Sequence, residues 1–567
     1  MTIIGIDLGT TNSLAAYWEE GEVKLIPNVH GDLLTPSVVG VDDNGECLVG
    51  KAARERLLTH PELTVEAFKR RMGSKASVTL GKQVFTPVEL SSLVLQNIKG
   101  DAEALLGQTV TEAVISVPAY FNDAQRHATK VAGELAGLTV ERLINEPTAA
   151  AVAYGLHDRE EECTFIVVDL GGGTFDVSVM EMFNGVMEVH ASAGDTFLGG
   201  EDFTEALQVA FLKAAGVAKR DLSSKDLSKV RAAVNRAKHQ LTDADGAALA
   251  VTTGAGELEW RIDRATMEKL CAEVVQRLRQ PIERVLRDSR MRPTDLSDVI
   301  LVGGATRMPL IRGAISRMFR RLPSCTINPD EVVARGAAIQ AALKSRDQAL
   351  RDVVLTDVCP YTLGIEVAVE KGSAAGYEAG HFMPIIERNT VIPTSRVENI
   401  VTIQDKQTEL AVKIFQGESR LTLNNILLGE LNIKVPKAKA GEESADVRFS
   451  YDVNGLLEVE VKIVSSGEII RKVIEKAPGS LSQGDIRKSL DKLANIKVHP
   501  RETAANRAVL AKAERIYEQN LGDVRQYVAH LISEFEQVLD KQDLALAEKA
   551  RETLVEKLEE LEGDLLG

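Results

Sequence analysis

Two segments that lie 162 residues apart repeat one short pattern, and this repeat constrains the fold more than any other feature. Each is an apolar strand followed by aspartate, leucine and glycine: IIGIDLGTTNS contains Asp7, and FIVVDLGGGTFDVSVM contains Asp169. Glycine permits a tight turn, and the hydroxyl and amide groups beside it can face a phosphate. The repeat predicts a duplicated fold in which two lobes each direct a hairpin at one nucleotide. Because two carboxylates would repel a triphosphate, we expect them to hold Mg²⁺, mainly through waters.

A third glycine turn lies in VILVGGATRMP, where Gly303, Gly304 and Arg307 lead into a helical pattern. An apolar strand that ends in a glycine turn is most often only a turn, so one such segment is weak evidence for a phosphate site. Three of them in one chain are stronger evidence, because all three can meet at one nucleotide. The joint occurrence therefore predicts a phosphate-binding site.

Composition narrows the class of protein. The 567 residues are 44% hydrophobic and 26% charged, as in soluble globular proteins. The net charge of −16 argues against a main function of covering nucleic-acid phosphates or a lipid surface. The sequence contains no run of about 18 apolar residues, so no membrane span is predicted. Five scattered cysteines and an N-terminus without a signal-peptide pattern predict a cytoplasmic location and no disulfide framework.

The period of the apolar residues changes twice along the chain. Strand and helix patterns alternate up to about residue 350, which predicts an α/β domain. After residue 390 apolar and polar positions alternate, which predicts an all-β module, with Asn454 and Gly455 as the positive-φ pair of a hairpin turn. From about residue 480 the period is three to four. That pattern predicts helices, the first with about eight turns between Leu510 and Val538.

Further motifs identify a family. The chain contains FKRRMG, VPAYFNDAQRHAT, INEPTAAAVAYG, GDTFLGGEDF, NPDEVVARGAA and the linker RDVVLTDVCPY followed by TLGIE. Over nearly its whole length it resembles the DnaK family of heat-shock chaperones, and its short lobe insertions and lid resemble the divergent bacterial HscC-type branch. The resemblance implies a multidomain fold: an actin-like α/β ATPase of two duplicated lobes (1–350), an interdomain linker (351–358), a β-sandwich peptide-binding domain (359–478) and an α-helical lid (479–567).

The resemblance also implies an activity, in which binding and hydrolysis of ATP with Mg²⁺ switch the affinity for extended apolar segments of client polypeptides. It implies that Lys69 reaches the γ-phosphate and the attacking water, while Asp7, Glu146, Asp169 and Thr174 organise Mg²⁺, water and phosphates. The residues implied to hold ATP or ADP are Thr10, Thr11, Asn12, Gly171, Gly172, Gly199, Lys238, Thr242, Gly303, Gly304 and Arg307. Phosphoryl transfer depends on positioned charge, which agrees with this set. Without the motifs, Lys69 would be part of a solvated basic face and Glu146 a helix cap.

The adenine side departs from the family pattern. Asn235 stands where many members have Glu, and Thr242 stands for Ser. The change to Asn235 removes a charge but keeps a polar side chain, so we expect ATP to bind with some loss of affinity. A histidine at position 239 is more often a surface residue than a ligand, and we interpret His239 in that way.

Communication between the sites is implied by the same resemblance. Pro118, Arg126 and Asp357 would relay the state of the nucleotide, and the linker VVLTDV would dock on the ATPase domain in one state. Thr356 replaces an aliphatic linker residue, which weakens the expected docking. The surface implied for a J-domain co-chaperone consists of Arg142, Asn145 and Asp357.

The β-module is implied to bind an extended peptide by strand-like hydrogen bonding, with a central pocket for one apolar side chain. The residues implied to form the pocket, or an arch over the peptide, are Ile365, Ala368, Ile400, Ile403, Leu410 and Val412. Aliphatic residues in a β-sandwich are usually core, so a purely structural role is the alternative for them.

Two segments are shorter than in many members of the family. Lys69 and Pro118 are 49 residues apart, and the loop between Thr242 and Glu268 is short where GrpE-type exchange factors bind. We therefore expect nucleotide exchange to be fast and an exchange factor to be dispensable.

Two other functions stay open at this point. A sugar or acetate kinase shares the actin-like fold, but it needs a phosphoacceptor pocket and leaves the β-module and the C-terminal helices unexplained. A nucleotide-gated scaffold for one client, such as an iron–sulfur assembly chaperone, would use the same domains. The sequence does not separate a general chaperone from a dedicated one.

Overall fold

Two six-stranded sheets dominate the N-terminal part of the chain. They are seen in a computed structural model that describes residues 2–155, 162–183, 186–344, 354–370, 377–473, 488–489, 501–520, 522–539 and 544–564. Predicted boundaries at 350/351 and 478/479 lie outside these residues.

The first sheet has the order β11-β10-β1-β2-β3, with β4 beside β2. β1 is parallel to β10 and antiparallel to β2, so Asp7 at the end of β1 lies opposite Leu14. The elements of this part are β1 (Ile3–Asp7), β2 (Asn12–Glu19), β3 (Glu22–Ile26), β4 (Thr35–Pro36), β5 (Val38–Val41), β6 (Cys47–Val49), α1 (Lys51–Thr59), β7 (Thr64–Glu66), β8 (Val78–Leu80), β9 (Gln83–Phe85), α2 (Pro87–Leu106), β10 (Glu112–Val117), α3 (Asp123–Leu135), β11 (Thr139–Asn145) and α4 (Glu146–Ala153).

The second sheet has the order β17-β12-β13-β14-β18-β21. β12 is antiparallel to β13 and parallel to β17, so Asp169 occupies the same place in its hairpin as Asp7 does in the first sheet. The elements of this part are β12 (Cys163–Leu170), β13 (Phe175–Phe183), β14 (Val186–Asp195), α5 (Gly200–Ala214), α6 (Ser224–Asp243), β15 (Gly246–Thr253), β16 (Gly256–Asp263), α7 (Arg264–Leu270), α8 (Ala272–Asp288), β17 (Asp298–Val302), α9 (Pro309–Phe319), α10 (Val332–Lys344), β18 (Val354–Val358) and β21 (Val391–Ile392).

The remaining strands form two four-stranded sheets, β20-β19-β23-β24 and β22-β25-β26-β27, which share one apolar core. Along β26 buried and more exposed residues alternate, which confirms the predicted period of two. We call these strands the β-module. They are β19 (Leu363–Glu370), β20 (Tyr377–Ile386), β22 (Thr394–Val401), β23 (Glu409–Gln416), β24 (Ile426–Lys434), β25 (Ser444–Tyr451), β26 (Leu457–Ile463) and β27 (Ile469–Val473).

The turn between β25 and β26 forms where it was predicted. Gly455 has φ 75° and donates its N–H to the Asp452 carbonyl at 3.1 Å. The prediction of positive φ at Asn454 is wrong, because the Asp452 carboxylate accepts the N–H groups of Asn454 (2.9 Å) and Leu456 (2.8 Å). These bonds close the turn with only the glycine in the left-handed region.

The linker strand β18 ties the β-module to the second sheet. Its residues 354–356 pair in parallel with residues 186–188 of β14, and Asp357 and Val358 pair with β21. The linker is therefore docked in this structure, with Thr356 inside the paired segment.

Three helices end the described chain: α11 (Arg501–Gln519), α12 (Gly522–Leu539) and α13 (Leu544–Asp564). The prediction of one long helix is wrong, because α11 ends near Asn520, whose side-chain amide donates to the Ile516 carbonyl at 2.8 Å, and α12 starts at Gly522. In the described part of the chain, no helix has both the length and the apolar character that a membrane span requires.

Helix α11 packs on α1 beside the first sheet. Ala508 is 4% exposed and belongs to an apolar cluster that contains Ala52 and Ala53 of α1. Arg507 is 2.7 Å from Asp42, and Arg515 is 2.6 Å from Glu55. A small apolar contact flanked by ion pairs therefore holds the helices against the N-terminal part.

Replacing Ala508 with Arg should separate α11 from α1, because a long charged side chain does not fit between two alanines. Overpacking of this kind costs about 1–3 kcal/mol, so we expect amide exchange in residues 51–59 to accelerate at least about fivefold. Exchange mass spectrometry with ATP measures this, and Glu556→Arg, at an exposed position on α13, is the control. Unchanged protection of α1 in Ala508→Arg would contradict the prediction.

Candidate nucleotide site

A cavity of about 420 Å³ lies where the hairpins of the two sheets meet. All three glycine segments reach it, as their joint occurrence predicts. The predicted nucleotide and catalytic residues that line it are Asp7, Thr10, Thr11, Asn12, Lys69, Glu146, Asp169, Gly171, Gly172, Thr174, Lys238, Thr242, Gly303, Gly304 and Arg307.

The two hairpins touch through residues without side-chain bulk. A Cβ on Gly172 would overlap the Thr11 hydroxyl, and one on Gly173 would lie 2.6 Å from the Thr10 methyl. Gly199 does not line the cavity. A Cβ there would lie 2.5 Å from the Gly172 backbone, so Gly199 lets the start of α5 support the glycine turn from behind.

Buried charge dominates the inner end of the cavity. Lys69 Nζ is 2.9 Å from Glu146 Oε1, and both side chains are buried. Burial and then repulsion by Glu146 raise the pKa of Asp7 to about 7, although Ser116 donates to it at 2.8 Å. Burial, followed by repulsion from Glu146, Asp176 and Asp7, raises the pKa of Asp169 far above its usual value. These carboxylates outnumber the single lysine beside them.

This excess of oxygen ligands fits Mg²⁺, a hard cation that prefers carboxylates, water and phosphate. Among the described residues, no three acidic, histidine or cysteine side chains converge as a complete ligand set. The donors present therefore suit an ion that keeps bound waters and also binds phosphate oxygens. A nearby cation would favour the ionised form of the carboxylates.

At the outer end, Lys238 is held by its own domain. Its Nζ donates to the Gly200 carbonyl at 3.0 Å and to Thr204 Oγ1 at 2.8 Å, and burial lowers the pKa of Lys238 to about 8. The Thr204 hydroxyl also donates to Asn235 at 3.3 Å. His239 has an exposed side chain, as expected, but it borders the cavity.

Arg307, from the third glycine segment, pairs with Asp330 at 2.7 Å. Asp330 and Arg54 also line the cavity, and the sequence reasoning missed both. The motif NPDEVVARGAA, which contains Asp330, could have indicated that residue. Arg54 lies in no motif and reaches the cavity only through the position of α1.

Ion pairs across the cavity were also missed. Arg70, beside Lys69, donates to the Gly173 carbonyl at 3.0 Å and pairs with Asp202 of α5. Arg231 of α6 is 3.2 Å from Glu66 and also pairs with Glu201. Each arginine therefore contacts the opposite side of the cavity, and no local pattern in the sequence marks such a pair.

The residues predicted to couple the domains form one network beside the cavity. Arg126 donates to the carbonyls of Ala119 (3.0 Å) and Phe121 (3.1 Å), which follow Pro118, and to Asn145 Oδ1 at 2.7 Å. Asn145 Nδ2 donates in turn to Asp357 of the linker at 2.6 Å. Asn145 immediately precedes Glu146, so the linker contact is next to the lysine–glutamate pair.

Arg142 lies on the same side of the linker. Burial lowers the pKa of its guanidinium, which Asp357 offsets in part, and its Nε has no hydrogen-bond partner within the described structure. Asp357 is half-buried, and burial raises the pKa of its carboxyl. The three residues predicted for a J-domain contact therefore lie together around the docked linker.

The predicted peptide-binding residues divide into two groups. Ile365, Leu410 and Val412 are buried in the core of the β-module, at 1%, 6% and 1% exposure. Ile400 is partly buried against that core, and Ala368 and Ile403 are half-buried. A core role therefore accounts for the first three in this arrangement, and peptide binding by the set stays a prediction.

Replacing Gly199 with Ala should weaken nucleotide binding, because the added methyl would push the Gly172 turn into the cavity. The cost of about 1–3 kcal/mol for such overpacking corresponds to an affinity loss of about 5- to 150-fold. Titration with a fluorescent ATP analogue measures it. The control is Gly100→Ala, where a Cβ has no neighbour within 4 Å. Wild-type affinity in a folded Gly199→Ala protein would contradict the role given to Gly199.

Comparison with known proteins gives the family. The family model described as Hsp70 protein matches residues 3–79 and 75–565. The chaperone protein DnaK of Thermotoga neapolitana is 42% identical over 504 residues, which cover 86% of this chain and 83% of the relative. The DnaK of Thermosipho melanesiensis is 38% identical over 568 residues, which cover 96% of this chain and 93% of the relative. The HscC-type branch stays a prediction.

These matches cover both the nucleotide cavity and the β-module. The DnaK relatives are chaperones, and the cavity carries the glycine turns, lysine and carboxylates that phosphoryl transfer requires. The chain belongs to the Hsp70 family and is an ATP-dependent molecular chaperone that hydrolyses ATP.

Proposed function

We propose that this chain couples the nucleotide in the cavity to peptide binding by the β-module through docking of the linker strand β18. The observation that carries the proposal is the hydrogen bond between Asn145 and Asp357, one residue away from Glu146. In this proposal the two large sheets are the duplicated lobes of an actin-like ATPase (1–350), 351–358 is the linker, 359–478 binds peptide, and 479–567 is the lid.

The roles at the cavity follow from its charges. Lys69 stabilises the negative charge that develops on the γ-phosphate and orients the attacking water, with Glu146 holding its ammonium group at 2.9 Å. Asp7 and Asp169 would hold Mg²⁺, mainly through waters, and the ion would supply positive charge for the phosphates. Thr174 and the three glycine turns position the phosphates.

Docking of the β-module rests on polar contacts besides the linker. Arg388 is 2.8 Å from Asp288 of α8, and Asn389 accepts the Ser192 N–H of β14 at 3.1 Å. Asn454, in the hairpin turn, accepts the Leu143 N–H at 3.1 Å. These docking contacts are polar or charged, so a modest change in charge at the cavity can shift the equilibrium between docked and undocked states.

The partners in this proposal are unfolded client polypeptides and a J-domain co-chaperone that contacts Arg142, Asn145 and Asp357. A cytoplasmic location is part of the proposal.

Nucleotide exchange without an exchange factor also stays a prediction. The ion pairs of Arg70 and Arg231 restrain opening of the cavity, but partly exposed pairs contribute only about 0–1 kcal/mol each. The family assignment removes the kinase alternative, and a general or a dedicated client range are both compatible with it.

A labelled apolar peptide should dissociate faster with ATP than with ADP, because docking changes the β-module in only one nucleotide state. Stopped-flow fluorescence anisotropy measures the two rates. Asn145→Ala, which removes the bonds to both Asp357 and Arg126, should reduce their ratio by at least about fivefold, as expected for two hydrogen bonds. Asn44→Ala, in an exposed turn, is the control. Equal rates with ATP and ADP in the wild type would contradict the proposed coupling.

Docking should weaken as the pH rises. Asp123 accepts the Leu457 N–H of the β-module at 3.1 Å, and burial raises its pKa from 3.8 to about 7. Docking therefore takes up a proton below pH 7 and loses that contribution above it. The docking equilibrium should be about tenfold less favourable at pH 8 than at pH 6.

Energy transfer between a dye on the β-module and one on α1, with ATP present, measures this equilibrium. Asp123→Asn keeps an acceptor for Leu457 but does not titrate, so its docking should change much less between pH 6 and pH 8. Equal pH sensitivity in the wild type and the variant would assign the effect to another group.

A further inference from the structure

Tyr120 lies in the short segment that joins β10 to α3, where several backbone groups have hydrogen-bond partners. Arg126 occupies the carbonyls of Ala119 and Phe121, and the Phe121 N–H donates to the Pro118 carbonyl at 3.1 Å. The Tyr120 N–H donates to Asp176 Oδ1 at 2.8 Å. These partners all belong to the N-terminal part of the chain.

The Tyr120 carbonyl is different, because its partner comes from the β-module side of the linker. The hydroxyl of Tyr361, three residues after β18, donates to it at 2.8 Å. The rings of Tyr120 and Tyr361 also contact each other, with centroids 4.3 Å apart and planes tilted by 39°. Undocking would remove this donor and leave a carbonyl that the ATPase domain does not satisfy.

The N–H group of Tyr120 bonds Asp176, which lies near the buried charges of the cavity. Asp176 is 1% exposed, pairs with Gly194 of β14, and interacts electrostatically with Glu146 and Lys69. It does not line the cavity in this docked arrangement. A Cβ on Gly194 would lie 2.8 Å from the Tyr120 Cβ and 2.9 Å from Asp176 Oδ1, so the three groups are in close packing. The Tyr120 N–H and carbonyl lie in the two peptide planes that meet at its Cα, so movement of the carbonyl can reach the N–H through the two dihedral angles of Tyr120.

We propose that Tyr361 is a positioning residue, whose hydroxyl holds the backbone at Tyr120 so that Asp176 stays bonded to the Tyr120 N–H and away from the nucleotide while the β-module is docked. The inference rests on the proposed function, since it needs docking to follow the nucleotide state. When Tyr361 leaves, the backbone at Tyr120 can move, and Asp176 is free to turn towards Lys69 and the γ-phosphate.

Tyr361→Phe in the full-length chain tests this, because it removes the hydroxyl and keeps the ring. Without peptide, single-turnover ATP hydrolysis should be about three- to tenfold faster than in the wild type, the factor that one hydrogen bond contributes. Stimulation by an apolar peptide should fall by a similar factor. Tyr377→Phe removes the hydroxyl of a tyrosine in the same module that is 53% exposed, and it should match the wild type.

Amide exchange with ATP bound separates positioning from a general loss of docking. We expect faster exchange in residues 119–122 of Tyr361→Phe and wild-type protection of residues 354–358. Exchange that accelerates equally in both segments would overturn the inference, as would a wild-type hydrolysis rate in the variant. A wild-type protein that peptide fails to stimulate would contradict the proposed function, whereas the inference is judged by the rate without peptide.

Discussion

The structure depends on a concentration of buried carboxylates around one lysine. Asp7, Asp169 and Glu146 meet Lys69 where the two sheets face each other, and repulsion among the acids adds to the cost of burying them. A single ammonium group cannot neutralise three carboxylates, so this junction favours a bound cation. A divalent cation would supply the two further positive charges that balance the carboxylates.

The same junction places the linker beside the buried charges, although the described linker residues do not line the cavity. Asn145 and Glu146 are consecutive at the start of α4; one bonds the linker and the other bonds Lys69. A change in the position of α4 therefore affects both contacts at once. In the proposed coupling, this placement lets a linker strand of five residues respond to the state of a cavity that it does not line.

The sequence predicts the cavity well because its parts are local. A strand, a glycine turn and a following hydroxyl are encoded by adjacent residues, and the repeated motif indicates that two such turns meet. Contacts between distant surfaces carry no such pattern. The pairs of Arg70 and Arg231, the support from Gly199 behind its neighbours and the ring contact of Tyr361 all depend on how separate elements come together. The helix break near Asn520 was not predicted for a related reason, since the apolar period continues across it while the helical conformation of the backbone stops.

The residues predicted for a J-domain contact are themselves part of the docked linker network. Asn145 and Asp357 are hydrogen-bonded to each other, and Arg142 lies beside them with an unpaired Nε within the described structure. A partner that binds all three therefore distinguishes the docked from the undocked linker. Undocking takes Asp357 away from Arg142 and Asn145, which stay on the first sheet. Its affinity would report docking, and by thermodynamic reciprocity its binding would stabilise the docked linker. Stimulation of hydrolysis by such a partner must then act on what docking holds in place, and the contacts of Asn145 with Arg126 and of Glu146 with Lys69 are the nearest groups through which it can do so.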